Sequence, residues 1–179
     1  MLSRAQVTMS LLFMLWSCSS SAAWLGSLGA NGFFGRYSAG VVYSEGQHEA
    51  ELSLGVYNQE REDYLQTNFI YRYAPWEVLT RKKHVFHPLE IGFFVTYSLD
   101  TKNYFLVSPS KYPYNSYYDE TALRWGFEIS NSIYFPQKSL SATYHIRVLD
   151  TGLIAFYNND RKDLQYYISS GFSLRYHFN

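Results

Sequence analysis

The sequence predicts an all-β protein, an eight-stranded antiparallel transmembrane β-barrel behind an export signal, and three observations carry that reading. Residues 164–178, LQYYISSGFSLRYHF, alternate: Leu164, Tyr166, Ile168, Phe172, Leu174, Tyr176 and Phe178 share one face, while Gln165, Ser169, Gly171, Ser173, Arg175 and His177 share the other. A period of two with one apolar face marks a β-strand. The aromatic fraction is 20%, with 18 Tyr in 179 residues, an excess that calls for an interface rather than an ordinary soluble core. Finally, Lys82, Lys83, Lys102, Lys111, Lys138 and Lys162, which are all the lysines, fall between the alternating segments, whereas a solvated sheet face uses lysine freely.

In chain order, residues 1–23 read as a secretory signal peptide. Arg4 is followed by an apolar run from Leu11 to Trp16 and then by small residues, with Ser21-Ala22-Ala23 as the cleavage site. The run is shorter than the about 20 residues of a membrane-spanning helix. Leu15-Trp16-Ser17-Cys18 is a poor lipoprotein box, and lipid attachment at Cys18 is the alternative processing. Residues 24–179 then form the barrel. The chain has 15 basic and 15 acidic side chains, a balance that gives no reason to expect nucleic acid.

Residues 24–32 are Gly-rich and the most weakly patterned strand. Tyr37, Ala39, Val41 and Tyr43 then oppose Arg36, Ser38, Gly40 and Ser44. A turn at Glu45-Gly46 leads to Ala50, Leu52, Leu54 and Val56 against Glu49, Glu51, Ser53 and Gly55, a hairpin pattern. After a charged loop at 58–63, Leu65, Thr67, Phe69, Tyr71 and Tyr73 oppose Gln66, Asn68, Ile70 and Arg72, and Pro75 stops the strand. A basic connection at 75–88 precedes Leu89, Ile91, Phe93, Val95, Tyr97 and Leu99 against Glu90, Gly92, Thr96 and Ser98. A long loop at 101–121 follows. Leu123, Trp125, Phe127, Ile129 and Ile133 next oppose Arg124, Gly126, Glu128, Ser130 and Ser132. The turn Pro136-Gln137-Lys138 leads to Leu140, Ala142, Tyr144, Ile146 and Val148 against Ser141, Thr143, His145 and Arg147, and a loop at 149–163 delivers the closing strand. Eight strands is an even number, as a closed single-chain outer-membrane barrel requires.

The kind of polar residue tells which face meets what. The polar positions hold Gly, Ser, Thr and a matched set of ions: Arg36, Arg72, Arg124, Arg147 and Arg175 against Glu49, Glu51, Glu90 and Glu128. Small residues with balanced charge suit a narrow lumen, where ions must pair to survive desolvation. A one-residue slip would put each arginine in lipid at about 2–4 kcal/mol near the midplane. Arg124 and Arg147 with Glu90 and Glu128 are expected to form the ladder. Tyr43, Tyr73, Tyr97, Tyr144 and Tyr176 fall near strand ends, as interfacial aromatic girdles would place them.

An aromatic at the last strand's end, with Tyr176 and Leu174 stepping back from it, is similar to the closing strand of bacterial outer-membrane barrels. That implies a Gram-negative outer membrane, with lipid including lipopolysaccharide and the barrel assembly machinery as partners, the latter through the C-terminal strand. The segments HPLEIGFFVTYS, ETALRWGFEISNSIYF and SLSATYHIRV, a loop with Asn159 and Asp160, and the closing strand resemble in layout the lipid A deacylase family of eight-stranded barrels. The resemblance implies a His-x-Ser pair late in the penultimate strand, serine as nucleophile and histidine as base, with an acidic residue following. His145 takes the histidine's place, Arg147 stands where the serine belongs, and Asp150, Asp160 or Asp163 could supply the acid. The alternation turns His145 into the lumen, away from a lipid substrate.

The aromatic loop holding Tyr104, Phe105, Tyr112, Tyr114, Tyr117 and Tyr118 could stack on sugars or fold over the barrel mouth, and Leu153 to Tyr157 form an apolar patch. His84 and His87, beside Lys82 and Lys83, suggest a metal or an anionic lipid headgroup; without a third ligand they read as a solvated basic turn, and no metal or cofactor is expected. The sequence thus points to an outer-membrane barrel with a plugged polar lumen and a structural or surface-interaction role rather than an enzymatic one. The alternative is a lipid A or phospholipid acyl hydrolase.

Overall fold

Where the sequence alternates, the chain is extended. The computed structural model describes residues 22–30, 32–59, 62–99, 122–150 and 167–178. Its strands are β1 (Ala23–Ala30), β2 (Tyr37–Glu45), β3 (His48–Gln59), β4 (Glu62–Tyr73), the two-residue β5 (Val78–Leu79), β6 (Val85–Ser98), β7 (Leu123–Phe135), β8 (Leu140–Leu149) and β9 (Ile168–His177). They lie in the order β4-β3-β2-β1-β9-β8-β7-β6-β5, and a further β4–β6 pairing joins the two sides. All pairings are antiparallel. Leaving β5 aside, this is a closed eight-stranded antiparallel barrel, and closure removes the unpaired edges of an open sheet.

Several boundaries differ from the sequence reading. The weakly patterned first segment is a full stave, with Gly26 opposite Val41 on one side and Tyr176 on the other. The expected charged loop at 58–63 is mostly strand: β3 and β4 stay paired out to Gln59 opposite Glu62. The pairing continues because the backbone hydrogen bonds of a hairpin do not depend on side-chain polarity. The connection at 75–88 is also shorter than expected, since β6 begins at Val85 and β5 pairs back onto it, Val78 opposite Phe86. Pro88 is accommodated where the β6–β7 register shifts between His87 and Glu90, a position where a missing N–H is tolerated. The first hairpin turns at Gly46 and Gln47, because Glu45 already pairs with His48 and Gly46 takes a φ of 62°, as two-residue hairpin loops require. Residues 1–21 of the expected signal peptide, Cys18 among them, and the loops at 101–121 and 151–163 lie outside the described residues, as do Leu164 to Tyr166 at the start of the expected closing strand, while Ala23, the last residue of the expected signal, already pairs with Ser44 in β1.

The two faces of the sheet are inverted relative to a soluble barrel. Leu28, Phe172 and Ile129 point outward with 66%, 62% and 59% of their surface exposed, whereas Arg72, Asn68 and Glu128 point inward at 1%, 0% and 0%. The interior also holds a small apolar group, Phe34, Ile70 and Phe94, with Phe33 and Leu149 against it.

Phe34 belongs to the β1–β2 connection, which folds into the barrel mouth instead of arching over it. Gly35 takes a φ of 109° to make the turn, and the Arg36 N–H donates to the Val56 carbonyl at 2.7 Å. Gln66 Nε2 donates to the Phe33 carbonyl at 2.6 Å, Asn68 Nδ2 to the Phe34 carbonyl at 3.3 Å, and the Phe33 N–H to Ser169 Oγ at 3.1 Å. Buried backbone groups need such partners, so the inward polar residues of β4 and β9 hold the turn in place. Space for it comes from Gly55, where a Cβ would collide with the Phe34 carbonyl.

Gly55→Val is therefore expected to lower the urea midpoint of the folded barrel, by about 1–3 kcal/mol in stability for the overpacking. Leu54→Val, one residue away on the outer face, is expected to cost less than about 1.5 kcal/mol. Equal effects of the two changes would mean that the turn does not sit against β3.

Candidate functional site

Inward residues of six staves converge on one charged cluster. Arg72 on β4 donates from Nε to Glu128 Oε1 at 2.6 Å and from Nη1 to Glu51 Oε2 at 2.7 Å. Arg147 on β8 donates from Nε to the other oxygen of Glu128 at 2.6 Å. Arg175 on β9 donates from Nη1 to Glu49 Oε2 at 2.6 Å, and that oxygen also lies 4.0 Å from Arg72. Ser27 on β1 donates to Glu51 Oε1 at 2.8 Å. The result is a continuous chain of three guanidiniums and three carboxylates.

Local sequence explains why the partners meet. Glu128 and Arg147 are direct cross-strand neighbours on β7 and β8, the geometry in which opposite charges stabilise a sheet. Arg72 and Glu128 are not neighbours, because β6 runs between them. The β6 residue opposite both is Gly92. With no side chain there, Arg72 reaches over the strand; a Cβ at Gly92 would stand 3.2 Å from the Glu128 Cβ and from Ile70 Cδ1. Above the ions, the Phe34 ring takes the Arg147 guanidinium at 3.6 Å from its centroid, a cation–π contact strengthened by desolvation.

Not every residue expected among the interior ions joins this cluster. Arg36 sits in the turn before β2, exposed, with its guanidinium 5.5 Å from the Tyr37 ring centre. β2 begins at Tyr37 and Arg36 lies in the bend before it, so position 36 does not continue the inward row of β2. Arg124 lies near the other end of β7 and faces Asp150 at 3.7 Å. Glu90 is met by hydroxyls rather than by a cation: Ser130 Oγ donates to it at 2.9 Å and Ser132 Oγ donates to its other oxygen. The expected ladder of Arg124, Arg147, Glu90 and Glu128 thus contains one contact, Arg147 to Glu128. Ser27 and Phe34 were not singled out from sequence. For Phe34 a signal existed, two consecutive phenylalanines between Gly32 and Gly35 in a connection that water should have kept polar.

His145 is 2% exposed and faces the interior, and neither ring nitrogen has a hydrogen-bond partner. Its same-face neighbours on β8 are Thr143 and Arg147, not a serine. The outward residues of that strand are Leu140, Ala142, Tyr144, Ile146 and Val148, so the outer face of β8 carries no nucleophile and base pair. At the end carrying the short turns, a cavity of about 100 Å³ is lined in part by Glu49, Arg72, Glu90, Ser132, Arg175 and His177. That is well below the roughly 300 Å³ where small-molecule sites begin. Among the described residues no group of His, Cys, Asp and Glu could hold a metal ion. The six loop aromatics from Tyr104 to Tyr118 lie outside the described residues. Compared with protein-family models, curated proteins and solved structures, the chain matches none.

Glu128 holds two guanidiniums, so removing its charge leaves Arg147 unbalanced and Arg72 with Glu51 as its close partner, both in a space withdrawn from water. Glu128→Gln is expected to cost about 3–5 kcal/mol in urea unfolding. Adding Arg147→Met should recover a large part of that loss, because Arg72 still has Glu51. A double variant as unstable as the sum of its single changes would show that the two residues do not act as a pair.

Proposed function

We propose that the protein is an integral outer-membrane barrel of a Gram-negative envelope, exported through a cleaved signal peptide, with a plugged polar lumen and a structural or surface-interaction role. The observation that carries this reading is the inversion of the barrel: large apolar side chains outside, paired ions inside. An exposed apolar area of this kind in water would drive aggregation, and in a bilayer it becomes the favourable surface. No helix among the described residues is long and apolar enough to cross a membrane, and the strands supply the spanning element this reading needs.

Aromatic pairs near the strand ends support the same placement. Trp24 lies 5.2 Å from Tyr43, His48 lies 5.1 Å from Tyr73, and Tyr176 lies 5.7 Å from Phe178, all at the end of the short turns. Amphipathic rings favour the depth of lipid headgroups. A plugged lumen is supported by the ion chain and by the Phe34 turn seated over it, since eight staves enclose an interior that side chains fill. The partners this reading implies are outer-membrane lipid, lipopolysaccharide included, and the machinery that inserts barrels, engaged through β9.

The protein is expected to fractionate with outer membranes, to shift on unheated gels as closed barrels do, and to give no steady conductance in planar bilayers. Recovery as a soluble periplasmic protein would overturn the compartment, and a stable open pore would overturn the plug. Deacylated product from lipid A incubated with the purified barrel would replace the non-enzymatic role with a hydrolase.

A further inference from the structure

The connection between β4 and β6 is ordered where a short solvated turn would have sufficed. Val78 and Leu79 pair with Phe86 and Val85, and the tip is closed by Thr80 N–H to the His84 carbonyl and Lys83 N–H to the Thr80 carbonyl, both at 2.9 Å. The His84 N–H also donates to Thr80 Oγ1 at 3.0 Å. The hairpin leans on the barrel wall through the edge of His84 against the Phe135 ring, at 5.0 Å. It is thereby held beside the β7–β8 turn that carries Lys138.

Its exposed side chains fall into two kinds. Trp76, Val78 and Leu79 expose 58%, 48% and 67% of their surface, more apolar area than a soluble turn would leave in water. At the tip, Arg81, Lys82 and Lys83 are consecutive and exposed, and none of them takes part in an ion pair among the described residues. Glu77 is the one acidic neighbour within the hairpin. The hairpin leaves the barrel directly after Tyr73, in the aromatic ring of the turn end. An apolar patch and a cationic tip at that depth match the two layers of a charged lipid interface, acyl boundary and phosphate.

We propose that the β5 hairpin is a docking surface for anionic phospholipid headgroups. Trp76, Val78 and Leu79 enter the headgroup boundary, and Arg81, Lys82 and Lys83 face the phosphates of the surrounding leaflet. The inference rests on the outer-membrane reading above and adds a lipid preference at one end of the barrel. Lysine and arginine serve different parts of that contact: Arg81 can bind a phosphate in a two-pronged manner, while the lysines act as point charges.

The test uses the full chain with Trp16→Phe, Trp24→Phe and Trp125→Phe, so that Trp76 alone fluoresces, folded into phosphatidylcholine vesicles. A minor share of the lipid is brominated phosphatidylglycerol in one sample and brominated phosphatidylcholine in the other. The expected result is about three-fold stronger quenching by the anionic lipid, given the attraction of three cations to a charged surface. The preference should vanish in about 0.5 M salt, where charges are screened within a few ångströms, and in the variant carrying Arg81→Gln, Lys82→Gln and Lys83→Gln. Equal quenching by the two lipids would overturn the headgroup preference. No quenching by either, in a barrel whose gel shift proves insertion, would place the hairpin clear of the membrane and overturn the docking surface. A chain that never inserts would instead refute the outer-membrane reading itself.

Discussion

The contact on which the rest of the interior depends is Arg72 with Glu128, a guanidinium and a carboxylate 2.6 Å apart and both cut off from water. Either ion alone in that position would face a desolvation penalty of several kcal/mol. Together, and with Arg147 on the second carboxylate oxygen and Glu51 on Arg72, they leave little charge uncompensated. Because the partners sit on β4 and β7, the contact also ties together staves that share no backbone hydrogen bonds. Gly92 is its geometric condition: the stave between them must present no side chain at that level. The same rule recurs at Gly126, where a Cβ would crowd the Phe94 ring. Gly92 and Gly126 are thus spaces left for a larger residue on the neighbouring stave.

An interior of this kind changes what holds the barrel together. Soluble barrels gain most of their stability by burying apolar side chains inside, but the inward apolar residues of this chain amount to a few, among them Leu25, Val42, Ile70 and Phe94. Stability must then come from the closed ladder of backbone hydrogen bonds, from paired ions and, in the outer-membrane reading, from the match between the outer face and lipid. The Phe34 turn fits this scheme as a cap. Its aromatic ring lies against the Arg147 guanidinium, while its Phe33 and Phe34 carbonyls accept from Gln66 and Asn68.

Much of this was readable from the chain because a two-residue period is a local property. The inward positions of Glu51, Arg72, Glu128, Arg147 and Arg175 follow from alternation alone, as does the pairing of Glu128 with Arg147 across one tight turn. What alternation does not encode is which residues meet across the lumen. Arg72 reaching Glu128, and Glu49 reaching Arg175, depend on closure of β4 onto β6 and of β1 onto β9. Those are contacts between distant segments, with no trace in local spacing. Arg36 shows the complementary limit: the two-residue pattern extends to position 36, but the strand begins only at Tyr37. Glu90 shows a third, since a buried carboxylate was assumed to need a cation when two serine hydroxyls already meet it. Charge and proline are local signals for a break, yet the pairs Asn58–Asp63, Gln59–Glu62 and Val85–Tyr134 ride on a ladder fixed by neighbouring segments.

The distribution of chemistry over the described residues narrows where this protein can act on its surroundings. The outer face is apolar, and its outward row on β8 carries no acid–base pair. The interior ions are engaged with one another, and a cavity of about 100 Å³ leaves room for little beyond water. His145 is enclosed, with 2% of its surface exposed. At the turn end, Arg81, Lys82, Lys83 and Lys138 are exposed. Recognition there requires no change inside the barrel, because the hairpin is closed by its own hydrogen bonds and braced by His84 on Phe135. In the outer-membrane reading, a barrel whose inward ions pair with one another and whose turn end carries consecutive cations meets the lipid through that end rather than through its interior.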